Sequence, residues 1–259
     1  MATPNEKLAQ SLKELATLQA KGHRAVRSDM LTRTHRERLV KAGYLEEVRK
    51  SWYLPARPGE SLGSTASWFA GMRDFISGYC ENRFGADWHL SPEQSLLLRS
   101  GERSIPRQLQ VWTTAGNNQI VPLPHGCSLF LYRAPMLLPA HSVAGEGGLR
   151  LVDLPSALVA VSQGFFVQQP MAARISLGLV TDAAELLQPL LDGSHSVVAG
   201  RLAGAFRSLG SADLANAILS TMRSANYAVT EVSPLRVVPA ALPGGRPGPP
   251  KRPPRSGPG

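Results

Sequence analysis

Cysteine is nearly absent: Cys80 and Cys127 are the two in a chain of 259 residues. Two thiols without a paired spacing exclude a disulfide framework and fit a reducing cytoplasm. Long apolar runs are missing too. No stretch approaches the ~20 residues that a helix needs to span a bilayer, and the polar opening MATPNEKLAQ does not read as a secretory signal. The expectation is a cytoplasmic protein with no membrane partner. Catalytic signatures are equally scarce: there is no GxxxxGK[ST], no HExxH, no GxSxG and no paired CxxC. His125 and Cys127 could share a metal, but no second pair completes a tetrahedral site, so they read as loop residues. Asp192, Ser194 and His195 join acid, hydroxyl and imidazole at a helix start, where such residues usually cap the helix. The chain reads as non-catalytic, with no metal and no cofactor.

Acidic residues are outnumbered by basic ones at both ends of the chain. Residues 1–60 carry 12 Lys/Arg against 7 Asp/Glu, residues 61–233 carry 11 against 12, and residues 234–259 carry 5 against none. The net charge of +9 therefore sits around a nearly neutral body. A basic amino-terminal part points to nucleic acid as its partner.

Within that part, residues 28–54 have the grammar of a helix-turn-helix followed by a small wing. Ser28 is expected to cap a short helix over 29–31, and Thr34 to open a second one in a capping box with Glu37. Gly43 stops that helix, since it takes the left-handed conformation without steric cost. Residues 44–48 and 51–54 are β-forming runs that make a hairpin with Arg49 and Lys50 at its tip. On a helical wheel Leu39 and Val40 point inward, while Thr34, Glu37, Arg38 and Lys41 share the face that could enter a major groove. Arg33, Thr34, Arg36, Arg38, Lys41, Arg49 and Lys50 are the expected contacts to double-stranded DNA. Arg38 and Lys41 are placed in the groove, and Thr34 and Arg36 near phosphates. A solvated surface hairpin or a protein-docking module is the plainer alternative.

Residues 5–21 form an amphipathic helix whose Leu8, Leu12, Leu15 and Ala16 pack on Leu31, Leu39 and Leu54. Ala25 and Val26 add a short strand. The domain plan is a winged helix-turn-helix over 1–56, a linker over 57–66, an α+β body over 67–235 and a disordered Pro/Gly/Arg-rich tail over 236–259. In the body, residues 67–84 place Trp68, Phe69, Met72, Phe75, Ile76, Tyr79 and Cys80 on one helical face. Ser91, Pro92 and Gln94 start another helix. Residues 108–114 and 119–121 are predicted to pair as a hairpin around AGNN, with strands also at 128–133 and 149–152. Helices are expected over 155–161, 171–180, 182–191, 195–209 and 212–224, the last capped by Ser211. Arg201, Arg207 and Arg223 are expected to face solvent, and residues 227–232 to return as an edge strand.

Two family resemblances emerge from these motifs. The hairpin GYLEEVRKSWYLPARPGE ahead of a mixed α/β body resembles AbiEi-type antitoxins, which repress their own operon and neutralise a toxin. More closely, VRSDMLTRTHRERLVKAGYL, DWHLSPEQSLLL and DGSHSVVAGRLAGAFRSLG resemble the amino-terminal region of long Fic-family (cell filamentation) proteins, over roughly residues 7–235. Fic enzymes transfer AMP through a loop HxFx(D/E)GNxR. No histidine here is followed by that loop, so the resemblance implies the regulatory region without the enzyme. It implies DNA binding through the winged helix, with a Fic or toxin domain docked on the body. The alternative is a stand-alone antitoxin and autorepressor, which could pair as a homodimer on two half-sites. Residues 142–147, SVAGEG, match the Fic inhibitory pattern [ST]xxxE[GN]. The glycines make that segment a poor helix, so Glu146 reads as a loop residue.

Overall fold

The computed structural model describes residues 3–59, 66–104, 106–143 and 146–235, with the backbone alone at 66–69. The fold is α+β, as the sequence predicts. Helix α1 (Pro4–Ala20) opens with a capping box between Thr3 and Glu6. Strand β1 (Val26–Arg27), helix α2 (Arg33–Lys41), β2 (Leu45–Arg49) and β3 (Trp52–Pro55) follow. The strands form an antiparallel sheet of order β1-β3-β2. Alternation along β3 gives this sheet two buried faces. Tyr53 joins Leu15, Val26, Leu31, Leu39 and Leu45 under α1 and α2, whereas Trp52 and Leu54 point to the opposite side. The predicted contact of α1 with Leu54 is therefore not made, and Ala16 is exposed.

Helix α3 (Ala66–Phe84) covers that opposite side with Met72, Phe75, Ile76 and Cys80, all buried. Trp68 and Phe69 of the expected stripe lie outside the described side chains. Trp52 meets the Phe75 ring edge-on at 5.7 Å. A Cβ on Gly78 would stand 2.6 Å from the Trp52 ring, so the indole fits only because residue 78 has no side chain. One hydrophobic cluster thus spans the hairpin, α3 and the sheet that follows, across the predicted domain boundary.

That second sheet has the order β4-β5-β7-β6, from β4 (His89–Leu90), β5 (Gln108–Thr113), β6 (Gln119–Pro122) and β7 (Ser128–Arg133). The predicted hairpin between 108–114 and 119–121 is not formed: β5 pairs in parallel with β7, and β6 pairs with β7 instead. The AGNN connection crosses the end of β7, which explains its composition. A Cβ on Gly116 would lie 2.7 Å from the Tyr132 carbonyl oxygen. Asn118, at φ 55°, donates its backbone N–H to Leu131 O and accepts from Arg133 N at 2.9 Å. Helix α4 (Pro92–Arg99) starts at Ser91, whose hydroxyl accepts from Gln94 N. A small ribbon, β8 (Ala140–Ser142) with β9 (Arg150–Val152), completes the strands described.

Helices α5 (Leu154–Ala160), α6 (Gln163–Gln168), α7 (Pro170–Gly178), α8 (Ala184–Asp192), α9 (Ser196–Ser208) and α10 (Ala212–Ser224) build a separate core around Leu158, Phe166, Leu186, Leu202, Phe206 and Ile218. Several finer expectations are corrected here. Ser211 precedes α10 without a capping bond, and no side chain caps α9. Ser194 instead sits 3.1 Å from the Tyr227 hydroxyl. Arg201 is not solvent-facing: it donates to Val161 O at 2.9 Å and stacks over Phe166 at 5.5 Å. Arg207 and Arg223 are exposed as expected, and Arg207 pairs with Glu231 at 2.6 Å. Residues 227–232 form no strand. Gly200 and Gly204 leave a smooth strip on α9, and the chain from Thr230 to Ser233 lies directly on it, with Val232 N donating to Gly200 O. The predicted tail, 236–259, lies outside the described residues.

Candidate nucleic-acid interface

Helix α2 is fastened from beneath by its own basic residues. Its amino-terminus is capped by Thr32, which accepts from His35 N, rather than by Thr34. The expected capping box fails because the N-cap lies two residues earlier, and Glu37 pairs with Arg33 at 2.6 Å across one turn. No helix forms over 29–31. Residues 28–31 make a turn instead, tied by Ser28 N to Ser51 O at 2.9 Å and by Met30 N to Arg27 O. The carboxy-terminus follows expectation. Gly43, at φ 76°, donates to Val40 O while Tyr44 donates to Leu39 O, the double bond that closes a helix onto a left-handed glycine.

The expected contacts divide into two sets. Arg38 donates to Lys7 O at 2.8 Å and to the Ser11 hydroxyl at 2.9 Å, so it holds α2 against α1. Ser11 is fully buried and also lies 2.9 Å from His35 Nδ1, which completes a polar knot between the helices. Arg36 donates to Ser28 O at 2.8 Å and sits 5.7 Å over the Tyr53 ring, which fixes the helix to the turn and the sheet. Arg49 stacks over Tyr79 of α3 at 5.8 Å. Arg33, Thr34, Lys41 and Lys50 make up the second set and are exposed. Val40, predicted to point inward, is 40% exposed, whereas Leu39 is fully buried.

The outward edge is therefore cationic and polar, and it stands on a buried scaffold. Such an edge can approach a phosphate backbone with its lysines while the Arg33–Glu37 pair offers hydrogen-bonding groups to base edges. Sequence reasoning missed Ser11, His35 and Tyr53. The position of Ser11 among the leucines of α1 was a usable signal, since a buried hydroxyl requires a partner.

Beside this unit lies a cavity of about 510 Å³ between Arg24, Met30, Trp52 and the Asp74 and Ser77 side of α3. Asp74 accepts from Arg24 N at 3.2 Å, and burial pushes its carboxyl above the ordinary range. Gly147 and Gly148 bring the neighbouring turn against this helix, where Ser77 donates to Gly148 O at 3.0 Å. Glu146 in that turn is buried between Arg73, 3.0 Å away, and Arg103. It is a loop residue as expected, and it serves as an ionic clamp. His125 reaches across from the β6–β7 connection to Glu46 of β2 at 3.3 Å. Among the described residues, no group of His, Cys, Asp and Glu could hold a metal ion, and no helix is long and apolar enough to cross a membrane. The chain matches no protein-family model and no curated protein.

Proposed function

We propose that this chain is a non-catalytic regulator that binds double-stranded DNA through α2 and the tip of the β2–β3 hairpin. The observation that carries the reading is the division of labour on α2. Arg36 and Arg38 are bonded inward and fix the helix, whereas Arg33, Thr34 and Lys41 remain exposed on it, as does Lys50 at the hairpin tip. The order α1, β1, α2, β2, β3 supports this reading, since it is compatible with a winged helix in which the turn at 28–31 stands in place of the first helix of a helix-turn-helix. The excess of basic over acidic residues in 1–60 supplies the long-range attraction. The resemblance to Fic-associated and AbiEi-type regions supports a toxin or Fic catalytic domain as the protein partner.

The test is a salt titration of the full chain on the DNA just upstream of its own gene, beside a scrambled duplex of equal length. Tight binding to the upstream DNA alone, weakening by orders of magnitude between about 50 and 200 mM salt, is the expected result. Weak and equal binding to both duplexes would overturn the regulatory reading.

A further inference from the structure

A groove of about 720 Å³ opens on the helical body, between the loop that precedes β8 and helices α5 and α8. Its floor is apolar, from Met136, Pro139, Val159 and Pro189, and Met136 is 69% exposed. Its rim carries Glu185 and Asp192, both exposed and neither paired with a cation among the described residues. An apolar trough with an unpaired acidic edge suits a ligand with the opposite edge: apolar on one side and cationic on the other.

The chain itself contains such a segment. Residues 246–255 read RPGPPKRPPR, five prolines interleaved with four cations and no acid. Proline-rich sequence favours the extended polyproline II form, which loses little entropy on docking because its dihedrals are already restricted. Three residues per turn would let prolines line one side while Lys251, Arg252 and Arg255 turn toward carboxylates. Reach is not limiting. Leu235 is packed in the same hydrophobic core as Val159 and Leu186, on which the groove is built. At about 3.1 Å per residue, the eleven residues from Leu235 to Arg246 span roughly 34 Å, close to the diameter expected of a body of this size. A tether of that length holds its end at an effective concentration of order millimolar, so a weak intrinsic affinity is enough.

We propose that residues 246–255 dock in this groove as an intramolecular ligand, with prolines on the Met136, Pro139 and Val159 floor and Lys251 or its neighbours at Glu185 and Asp192. The docked tail would cover the exposed Met136 and Pro139 and withdraw four positive charges from solution.

Zero-length carbodiimide cross-linking of the full chain tests this, using an equimolar mixture of isotopically light and heavy protein. Lys251 should join Glu185 or Asp192 within single copies, independently of protein concentration. Hydrogen exchange supplies a second readout on the same chain. Amides of α5 and α8 should exchange at least two-fold faster in the triple variant Lys251→Glu, Arg252→Glu, Arg255→Glu than in the wild type. Unchanged exchange in that variant, cross-links from Lys251 to other carboxylates only, or light–heavy links in place of intramolecular ones would overturn the proposal. The last of these outcomes would make the occupant the tail of a second copy.

Discussion

Arg38 shows why the charge of a helix cannot be assigned to a ligand from a helical wheel alone. Its guanidinium bonds Lys7 O and Ser11 and so acts on α1, whose position relative to α2 is not written in the spacing of residues 33–41. Arg38→Ala should therefore lower stability by about 1–2 kcal/mol, the worth of a partly buried charge-assisted hydrogen bond, as read from the urea midpoint. Glu146 makes a sharper case. Glu146→Gln would leave Arg73 buried beside Arg103 without its counter-charge, at a cost on the order of 3 kcal/mol in the same measurement. His89 brings a pH dependence. It is fully buried, its Nε2 accepts from Leu138 N at 3.1 Å, and Nδ1 lies 2.7 Å from Leu90 O. The donor at Leu138 fixes the neutral tautomer with the proton on Nδ1. Burial holds the imidazole below its ordinary range, so the unfolded chain binds the extra proton first. Stability from this residue is complete above about pH 6.5 and is lost as pH falls through the lower folded value. The urea midpoint should fall between pH 7.5 and pH 5, and His89→Gln, which keeps an acceptor, should flatten that change. Asp87, held low chiefly by its hydrogen bond from the Thr114 hydroxyl, contributes only in more acidic solution.

At the scale of elements, what was legible followed local periodicity and capping. Helix α3 was readable because Met72, Phe75, Ile76 and Cys80 repeat at helical steps, and α4 because Ser91 and Pro92 cap and open it. Gly43 was readable because a left-handed closure favours that residue. The pairing of β5 with β7 was hidden, since β6 lies between them in sequence and a neighbouring strand is the default partner. The extended segment on α9 was hidden for a related reason. Residues 227–232 satisfy a strand pattern, but they lie on a helix made smooth by Gly200 and Gly204 rather than on a sheet. Gly200→Ala would drive a methyl into the Thr230 carbonyl and should cost about 2–3 kcal/mol. It should also raise hydrogen exchange at Val232 N, whose bond to Gly200 O would open.

On the scale of the whole molecule, α3 is the common wall. The hairpin sheet, α3 and the second sheet contribute to a single hydrophobic cluster. The hairpin tip is held to the same helix by Arg49 over Tyr79, so a contact made at α2 or Lys50 is borne by a rigid support. Of the proposed DNA interface, the location on α2 and the hairpin was visible in sequence. The split between the inward Arg36 and Arg38 and the exposed Arg33, Lys41 and Lys50 required the fold. That split makes the central claim testable in one comparison: salt-dependent binding of the upstream duplex by the wild-type chain, the double variant Lys41→Ala, Lys50→Ala, and Arg38→Ala, each with its melting temperature. The expected result is that the double variant weakens binding and lowers the salt slope by about 2 while leaving the melting temperature unchanged. Arg38→Ala should instead lower the melting temperature without a matching fall in the slope. If the double variant binds DNA as the wild type does, with the same slope, α2 and the hairpin tip are not the interface and the account fails.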